Sequence, residues 1–246
     1  MKILLAPSET KTAGGDNPPF NKDTYIFNEL FDKRKEVLTN YNNFINSCSD
    51  ESLCKLFGLK DINKANEFKV DIFSAPTKKA IDRYTGVAYD YLDYPTLSES
   101  EQTYINENVI IFSNIFGPIL AKQDVPNYKL KQGEKIDGFV IEKFYKQNFS
   151  ETLDNYLEDE DILDIRAGFY DKFYVPSKKY TTLKFLKGGK VVSHWAKAYR
   201  GMVLREVAKN DVFSIDELMK LNIQNLCIEE IKIIKNKQEL VYSIVE

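Results

Sequence analysis

Basic residues are concentrated toward the carboxyl-terminal part of the sequence. Residues 178–209 include nine lysines and arginines and one acid, Glu206, although the whole chain has a formal net charge of −3. Two of these bases, Lys197 and Arg200, come at the start of a predicted helix that directly follows a predicted strand. Such a junction offers free backbone amides, and nearby cations make it suitable for an anion. We expect Lys197 and Arg200 to bind an anionic group; the plainer alternative is a solvated basic face.

A second group of polar residues follows the first predicted strand. The loop after Ile3–Ala6 contains Ser8, Glu9 and Lys11, followed by two glycines that let the backbone approach a ligand closely. The loop is not a P-loop, because its lysine precedes the glycines. We expect Ser8, Glu9 and Lys11 to line a cleft, with an ordinary surface loop as the alternative.

The segment Leu56–Lys60 joins two short predicted helices through a glycine. Such a turn is typical of helix-hairpin-helix DNA-binding elements, in which the early amides of the second helix contact phosphate. In that hypothesis Gly58 forms the turn, while Lys60 and Lys64 contact the DNA backbone. Two helices joined by a glycine turn are also common without any such role.

Two further segments place a charged residue, a glycine and a tyrosine just beyond the end of a predicted element. Tyr84 lies in the first segment and Arg166 in the second. Because sites are often assembled from loops at the ends of elements, we expect Tyr84, Lys129 and Arg166 to join the cations named above in one cleft. The structural alternative for both segments is pairing of the arginine with an aspartate, together with packing of the aromatic side chains.

The composition argues against several functional classes. The three cysteines, Cys48, Cys54 and Cys227, form no CxxC pair, and His194 is the only histidine. With no zinc or EF-hand spacing, we expect neither a metal site nor another cofactor. The apolar start of the chain is too short for a signal peptide, and no apolar run reaches 18 residues. We expect a cytoplasmic protein without membrane contact.

The elements that must position these residues mix strands and helices. Predicted strands lie at 3–6, 109–112, 162–165, 181–187, 190–193, 227–234 and 240–245. Predicted helices lie at 27–48, 52–57, 62–68, 76–84, 98–106, 140–157, 196–209 and from 214, with capping boxes at Ser98 and Ser214. This order predicts an α/β (mixed α+β) fold, with a mixed sheet surrounded by helices. We expect one domain over residues 1–246, with residues 27–79 as a candidate helical lobe.

Taken together, five segments resemble the motifs of the YaaA peroxide-stress family in order and spacing. They cover the chain from Ile3 to about Arg205. Thr10 stands where the family's Pro-Ser-Glu-Gly-Lys form has glycine, and Ala167 stands where its Asp-Leu-Arg-Ser-Gly form has serine, so no serine role at 167 is implied. The matching segments are Leu4–Gly15, Ser74–Tyr89, Phe112–Gly117 with Pro126–Leu130, Asp164–Tyr170 and Ala196–Gly201.

The resemblance implies a family-specific α/β fold with a helix-hairpin-helix element and a positive cleft able to bind DNA. It also implies a role in the hydrogen-peroxide response, in which the protein limits free intracellular iron and the damage it causes. The sequence suggests no thiolate or ferritin-like iron site, so we expect any effect on iron to be indirect or to use a weak oxygen site.

Three functional alternatives remain open from the residues themselves. The first is a stress protein that binds duplex or structured DNA without sequence preference. The second is an enzyme acting on a nucleotide or another phosphorylated small molecule, with Glu9 or Tyr84 handling a proton. The third is a plain interaction domain. We favour the first. The second is close behind it, because five separated motifs that converge on one place are more typical of a catalytic pocket than of a DNA-binding face.

Overall fold

Strands and helices alternate along the chain in the computed structural model, which describes residues 1–192 and 195–245. The strands are β1 (Lys2–Leu5), β2 (Thr77–Lys79), β3 (Val109–Ser113), β4 (Gly117–Leu120), β5 (Asp124–Pro126), β6 (Ile162–Asp164), β7 (Tyr180–Lys187), β8 (Lys190–Val191), β9 (Leu226–Ile234) and β10 (Lys237–Ile244). The helices are α1 (Phe31–Ser47), α2 (Asp50–Phe57), α3 (Ile62–Asn66), α4 (Ala80–Arg83), α5 (Val87–Leu92), α6 (Glu99–Asn108), α7 (Ile141–Tyr156), α8 (Ala196–Lys209) and α9 (Ile215–Lys220).

Eight strands form one mixed sheet in the order β4-β3-β1-β6-β7-β10-β9, with β8 paired to β7. The pairs β3/β1, β1/β6, β6/β7 and β7/β10 are parallel. Every residue of β3 and of β6 is buried, which is typical of parallel strands with both faces covered. The expected mixed sheet surrounded by helices is therefore confirmed, and the β1, β3 and β6 predictions are correct to within a residue or two.

Strand order places a crevice beside β1. The chain leaves β1 toward β3 on one side, whereas it leaves β6 toward β7 on the other side. Neighbouring parallel strands whose onward connections diverge leave a crevice outside their carboxyl ends, where open α/β sheets bind ligands. The topology alone therefore directs attention to the residues that follow β1 and β6.

Local capping signals in the sequence are confirmed. Ser98 and Glu101 form a reciprocal capping box at the start of α6, and Ser214 and Glu217 form another at the start of α9. Gly58 ends α2 in the left-handed region, at φ 65°. Each of these features satisfies backbone groups that a helix terminus leaves without partners.

The prediction of a helix over 76–84 is wrong in its first half. Residues 77–79 instead form β2, which pairs antiparallel with β5, and only one helical turn, α4, follows. Strands β2, β4 and β5 and helix α5 were not predicted from the sequence, because these short elements depend on partners distant in sequence. The β7–β8 hairpin is confirmed as far as Val191; Ser193 and His194 lie outside the described residues.

Helix α1 packs into the same hydrophobic core as the sheet. Val37, Leu38 and Tyr41 are fully buried in that core. The buried guanidinium of Arg34 donates to the carbonyl oxygens of Phe116 and Pro118. These contacts attach α1 to the β3–β4 end of the sheet.

Helices α5 and α8 cross at unusually close range. A Cβ atom built on Gly201 in α8 would lie 2.1 Å from the carbonyl oxygen of Ala88 in α5. Only glycine permits this approach, because 2.1 Å is far shorter than any real Cβ contact and the obstructing atom belongs to the backbone. The two helices bring the residues before α5 and the first turn of α8 together.

We expect Gly201→Ala to lower the free energy of unfolding by about 1–3 kcal/mol, the usual cost of overpacking. At an open helical site the same change would stabilise by about 0.5–1 kcal/mol, so the sign is diagnostic. Urea unfolding monitored by circular dichroism measures the effect. Gly168→Ala is the matched control, because a Cβ there meets nothing within 4 Å. Stabilisation of Gly201→Ala would contradict the close helix contact.

Candidate functional site

A cavity of about 500 Å³ lies at the carboxyl ends of β1 and β6. Its wall is built from the loop after β1, residues 5–10, and from residues 85–89 at the start of α5. The loop after β6 adds Ala167 and Tyr170, and the first turn of α8 adds two cations. The position is the crevice that the strand order creates.

The two cations of α8 are Lys197 and Arg200, both of which were predicted site residues. Lys197 is exposed and Arg200 is partly buried, and neither forms an ion pair with a described residue. The buried Nε of Arg200 has no hydrogen-bond partner in the described part of the chain. Burial lowers the pKa of Arg200, and the nearby Asp164 carboxylate acts in the opposite direction. The N-cap residue Trp195 provides no side-chain cap to the helix.

Glu9 and Ser8 also line the cavity. Glu9 Oε1 accepts a hydrogen bond of 2.9 Å from the Gln132 backbone amide. Ser8 Oγ lies 3.0 Å from Thr10 Oγ1, and the Thr10 hydroxyl donates to the Thr85 carbonyl. The described residues give Glu9 Oε2 no hydrogen bond, so this oxygen remains able to accept one. The lining of the cavity thus contains two cations and one carboxylate.

Gly86 permits the close approach of the two loops at this wall. It has φ +110°, and a Cβ there would lie 3.2 Å from Ser8 Oγ. Gly86, Thr10 and Gln132 were not among the site residues predicted from the sequence. Gly86 carried a usable signal, because it follows Tyr84-Thr85 at the end of an element, whereas nothing in the sequence singled out Gln132.

Lys11 lies beside the cavity rather than in its wall. Its Nζ donates to the Ser8 carbonyl at 3.2 Å and lies 4.0 Å from the ring centroid of Tyr128 and 5.2 Å from that of Tyr84. Burial, which is the largest cause, and the nearby Lys129 cation together lower the pKa of Lys11 to about 7, although Glu9 acts in the opposite direction. The amine and ammonium forms are therefore both populated near neutral pH, which sequence analysis did not anticipate.

Tyr84 and Lys129 also lie outside the wall. The Tyr84 hydroxyl is buried, 2.8 Å from the Tyr128 hydroxyl, which in turn lies 2.8 Å from Ser113 Oγ. Burial raises the pKa of Tyr84 well above its ordinary value. Lys129 Nζ lies 5.7 Å from the ring centroid of Phe68, on the α3 side of this region.

Arg166 does not line the cavity, so that expectation is corrected. Its guanidinium is buried and forms a bidentate pair with Asp164, at 2.9 Å from Nε to Oδ1 and 2.6 Å from Nη2 to Oδ2. It also donates to the carbonyl oxygens of Tyr170 and Tyr174. All of these partners hold the loop after β6 in place, so Arg166 shapes the wall from behind and is not free to meet a ligand.

The predicted DNA-binding hairpin comprises Gly58, Lys60 and Lys64. Its second helix was expected to offer free backbone amides to a phosphate, and the structure differs at this point. Lys60 and Lys64 are exposed, and a Cβ on Gly58 would lie 2.9 Å from Cδ of Lys131. Helix α3 has five residues, and the Asp61 carboxylate accepts the backbone amide of Asn63 at its start. An acid therefore occupies the place where a phosphate would meet the helix, and the helix-hairpin-helix element is not confirmed.

Within residues 1–192 and 195–245, no three His, Cys, Asp or Glu side chains gather in an arrangement that could hold a metal ion. No helix in the same ranges has the length and apolar character required to cross a bilayer.

The sequence of this chain is similar to the sequences of several known proteins. A family model described as peroxide stress protein YaaA matches residues 1–232. An uncharacterized protein of Campylobacter jejuni is 51% identical over 246 residues, which cover 100% of both chains. A UPF0246 protein of Corynebacterium efficiens is 32% identical over 216 residues, 85% of each chain. A UPF0246 protein of Streptomyces coelicolor is 26% identical over 217 residues, 84% of this chain and 82% of the other.

The depressed pKa of Lys11 makes stability depend on pH. In the unfolded chain the side chain of a lysine has a pKa of about 10.4. Between about pH 7 and that value the unfolded state binds more protons, so the Lys11 contribution to the free energy of unfolding rises with pH. We expect the stability of the parent relative to Lys11→Met to increase from pH 7 to pH 9.5. Urea unfolding at four pH values measures this difference.

Lys60→Met is the matched control, because it removes an exposed lysine. Its stability curve should run parallel to that of the parent across the same pH range. A Lys11→Met curve that is likewise parallel to the parent would contradict the burial of an amine with a pKa of about 7.

Proposed function

Because this chain belongs to the peroxide stress protein YaaA family, we propose that it acts in the peroxide response by binding a nucleotide or another phosphorylated small molecule in the β1–β6 cavity. The observation that carries the proposal is the partly buried guanidinium of Arg200, which lines the cavity without an ion-pair partner among the described residues. A desolvated cation is costly unless it is paired, and a phosphate group would supply the missing partner.

Three further features favour a phosphate at this position. Lys197 lies in the same helical turn and lines the same cavity. The first amides of α8 have no intrahelical acceptor, and the positive end of the helix dipole favours an anion. The volume of about 500 Å³ lies within the range of small-molecule sites. Glu9, with a carboxylate oxygen available, is suited to accept a proton from the bound molecule if the site is catalytic.

Trp195 provides a direct test because it is the only tryptophan and precedes α8. We expect adenosine monophosphate and inorganic pyrophosphate to change its fluorescence with saturation, and adenosine to have no effect. Arg200→Gln should weaken binding about tenfold to a hundredfold, since a hydrogen bond to a charged group is worth about 1.5–3 kcal/mol.

The matched control is Lys209→Gln, which removes one positive charge near the other end of α8, where Lys209 contacts Glu206. This variant should bind like the parent. Equal affinity of the parent and Arg200→Gln for pyrophosphate would reject the phosphate site. Chromatography of each nucleotide after incubation with the protein then distinguishes a binding site from an enzyme.

DNA binding is a second proposal, supported by a different surface. Lys55, Lys60, Lys64 and Lys69 are all exposed on or beside α2 and α3. The Lys131 amide donates to the Leu56 carbonyl, so this surface adjoins the segment that contacts Glu9 at the cavity. Exposed lysines on adjacent helices suit non-specific contact with a phosphate backbone, even though the first turn of α3 is capped by an acid. A role in limiting free iron would then be indirect, through the ligand of the cavity.

If the lysine surface binds duplex DNA, affinity should fall steeply with salt, with a slope of about −3 to −5 for a few phosphate contacts. Lys60→Glu with Lys64→Glu should weaken binding and flatten this slope, and Lys33→Glu with Lys35→Glu on α1 is the matched control. Fluorescence anisotropy of labelled duplexes at several salt concentrations measures both. Lys197→Glu with Arg200→Glu tests whether the cavity contributes. Parent-like binding by the first variant at low salt would reject the lysine surface.

A further inference from the structure

The outermost strand of the sheet, β9, presents an open edge with exposed isoleucines. The strand has nine residues and pairs with β10, and no other described strand lies along its outer edge. Ile231, Ile233 and Ile234 are 47%, 66% and 50% exposed. A long apolar edge is a template for pairing with another chain, because its N–H and C=O groups lack ladder partners.

A β-bulge limits the part of β9 that can pair regularly. The register shifts between Val241 and Tyr242, which face Glu230 and Ile228, so Glu229 is the extra residue. A bulge bends its strand and disrupts the ladder locally. The regular stretch therefore runs from Glu230 to Ile234. Within it, Glu230 and Lys232 share one face, with Lys232 Nζ 3.0 Å from Glu230 Oε2, while Ile231 and Ile233 share the other.

We propose that β9 pairs antiparallel with β9 of a second copy of this chain, about a two-fold axis at Ile231. In this register Glu230 of each copy faces Lys232 of the other, and the two Ile231 side chains face each other. Residues 230–232 of each copy form the regular part of this ladder, because Ile233 stands opposite the bulged Glu229 of the other copy. Opposite charges directly across an antiparallel pair stabilise it, whereas like charges destabilise it. Such a contact is self-complementary, as two-fold symmetry requires.

The charges also select this register over its neighbours. An axis at Lys232 would place two lysines opposite each other, and an axis at Glu230 would place two glutamates opposite each other. Either shift would set like charges together at the centre of the interface. A shift by one residue would also exchange the faces on which the isoleucines and charges lie.

This interface is independent of the proposed ligand site. Strands β7 and β10 separate β9 from β6, at whose end the cavity lies. Pairing of the two β9 edges would join two sheets while leaving both cavities intact. Failure of phosphate binding would therefore not affect this inference, and failure of dimerisation would not affect the cavity.

Charge reversal at the two positions gives a sharp test. Sedimentation velocity of the full chain over a wide concentration range should show a monomer–dimer equilibrium. Glu230→Lys and Lys232→Glu should each shift it to monomer, because each places like charges across both contacts. The double variant with both changes should dimerise again, because it restores both opposite-charge pairs. Glu36→Lys, an exposed change on α1, is the matched control and should dimerise like the parent.

Mixing the two single variants tests the same contact without relying on one strand's stability. Lys232 also lies opposite Glu239 within the chain, so Lys232→Glu alone could loosen β9. A mixture of Glu230→Lys and Lys232→Glu should form a heterodimer, because all four facing charges are then complementary. The proposal is overturned if the parent stays monomeric at all concentrations, or if both single variants dimerise as well as the parent.

Discussion

The buried ion pair between Asp164 and Arg166 is the constraint on which the cavity depends. Two charges removed from water at the end of β6 are tolerable only if both are well paired, and here the pairing is bidentate. The Arg166 guanidinium also donates hydrogen bonds to the carbonyl oxygens of Tyr170 and Tyr174. The Arg166 side chain therefore holds the end of β6 and the loop after it in place. That loop includes Tyr170, which lines the cavity.

The Asp164 carboxylate also affects the pKa of Arg200, which lines the cavity. Asp164 raises the pKa of Arg200, against the larger effect of burial. Because both oxygens of this carboxylate bind Arg166, Asp164 offsets only part of the effect of burial on Arg200 and forms no ion pair with it. Arg166 is therefore a structural residue, whereas Arg200 remains available to an anion. The positive charge that the cavity offers to a ligand comes from Arg200, together with Lys197, and not from Arg166. The close crossing of α5 and α8 at Gly201 then holds Arg200 against the wall.

The sequence allowed prediction of what depends on neighbours along the chain. Buried strands, both capping boxes and the Gly58 helix end were evident because periodicity and capping are local properties. Arg166 and Arg200 could not be told apart, because each follows a strand and precedes a glycine, and only three-dimensional pairing separates them. The environment of Lys11 was equally hidden, since it comes from the rings of Tyr84 and Tyr128, more than 70 residues away. Strands β2 and β5 are too short to predict alone and exist because they pair with each other.

The central position of β1 has a consequence for the growing polypeptide on the ribosome. Ile3 is synthesised roughly 100 residues or more before its neighbours in the sheet, Val109 and Leu163. At translation rates of about 5–20 residues per second, the first partner strand emerges roughly 5–20 s later. During that interval β1, the central strand, is an unpaired apolar segment. The wall of the cavity is complete only after α8 has left the exit tunnel. Folding of the nascent chain is therefore dominated by long-range pairing, which is slow and exposes apolar segments to chaperones.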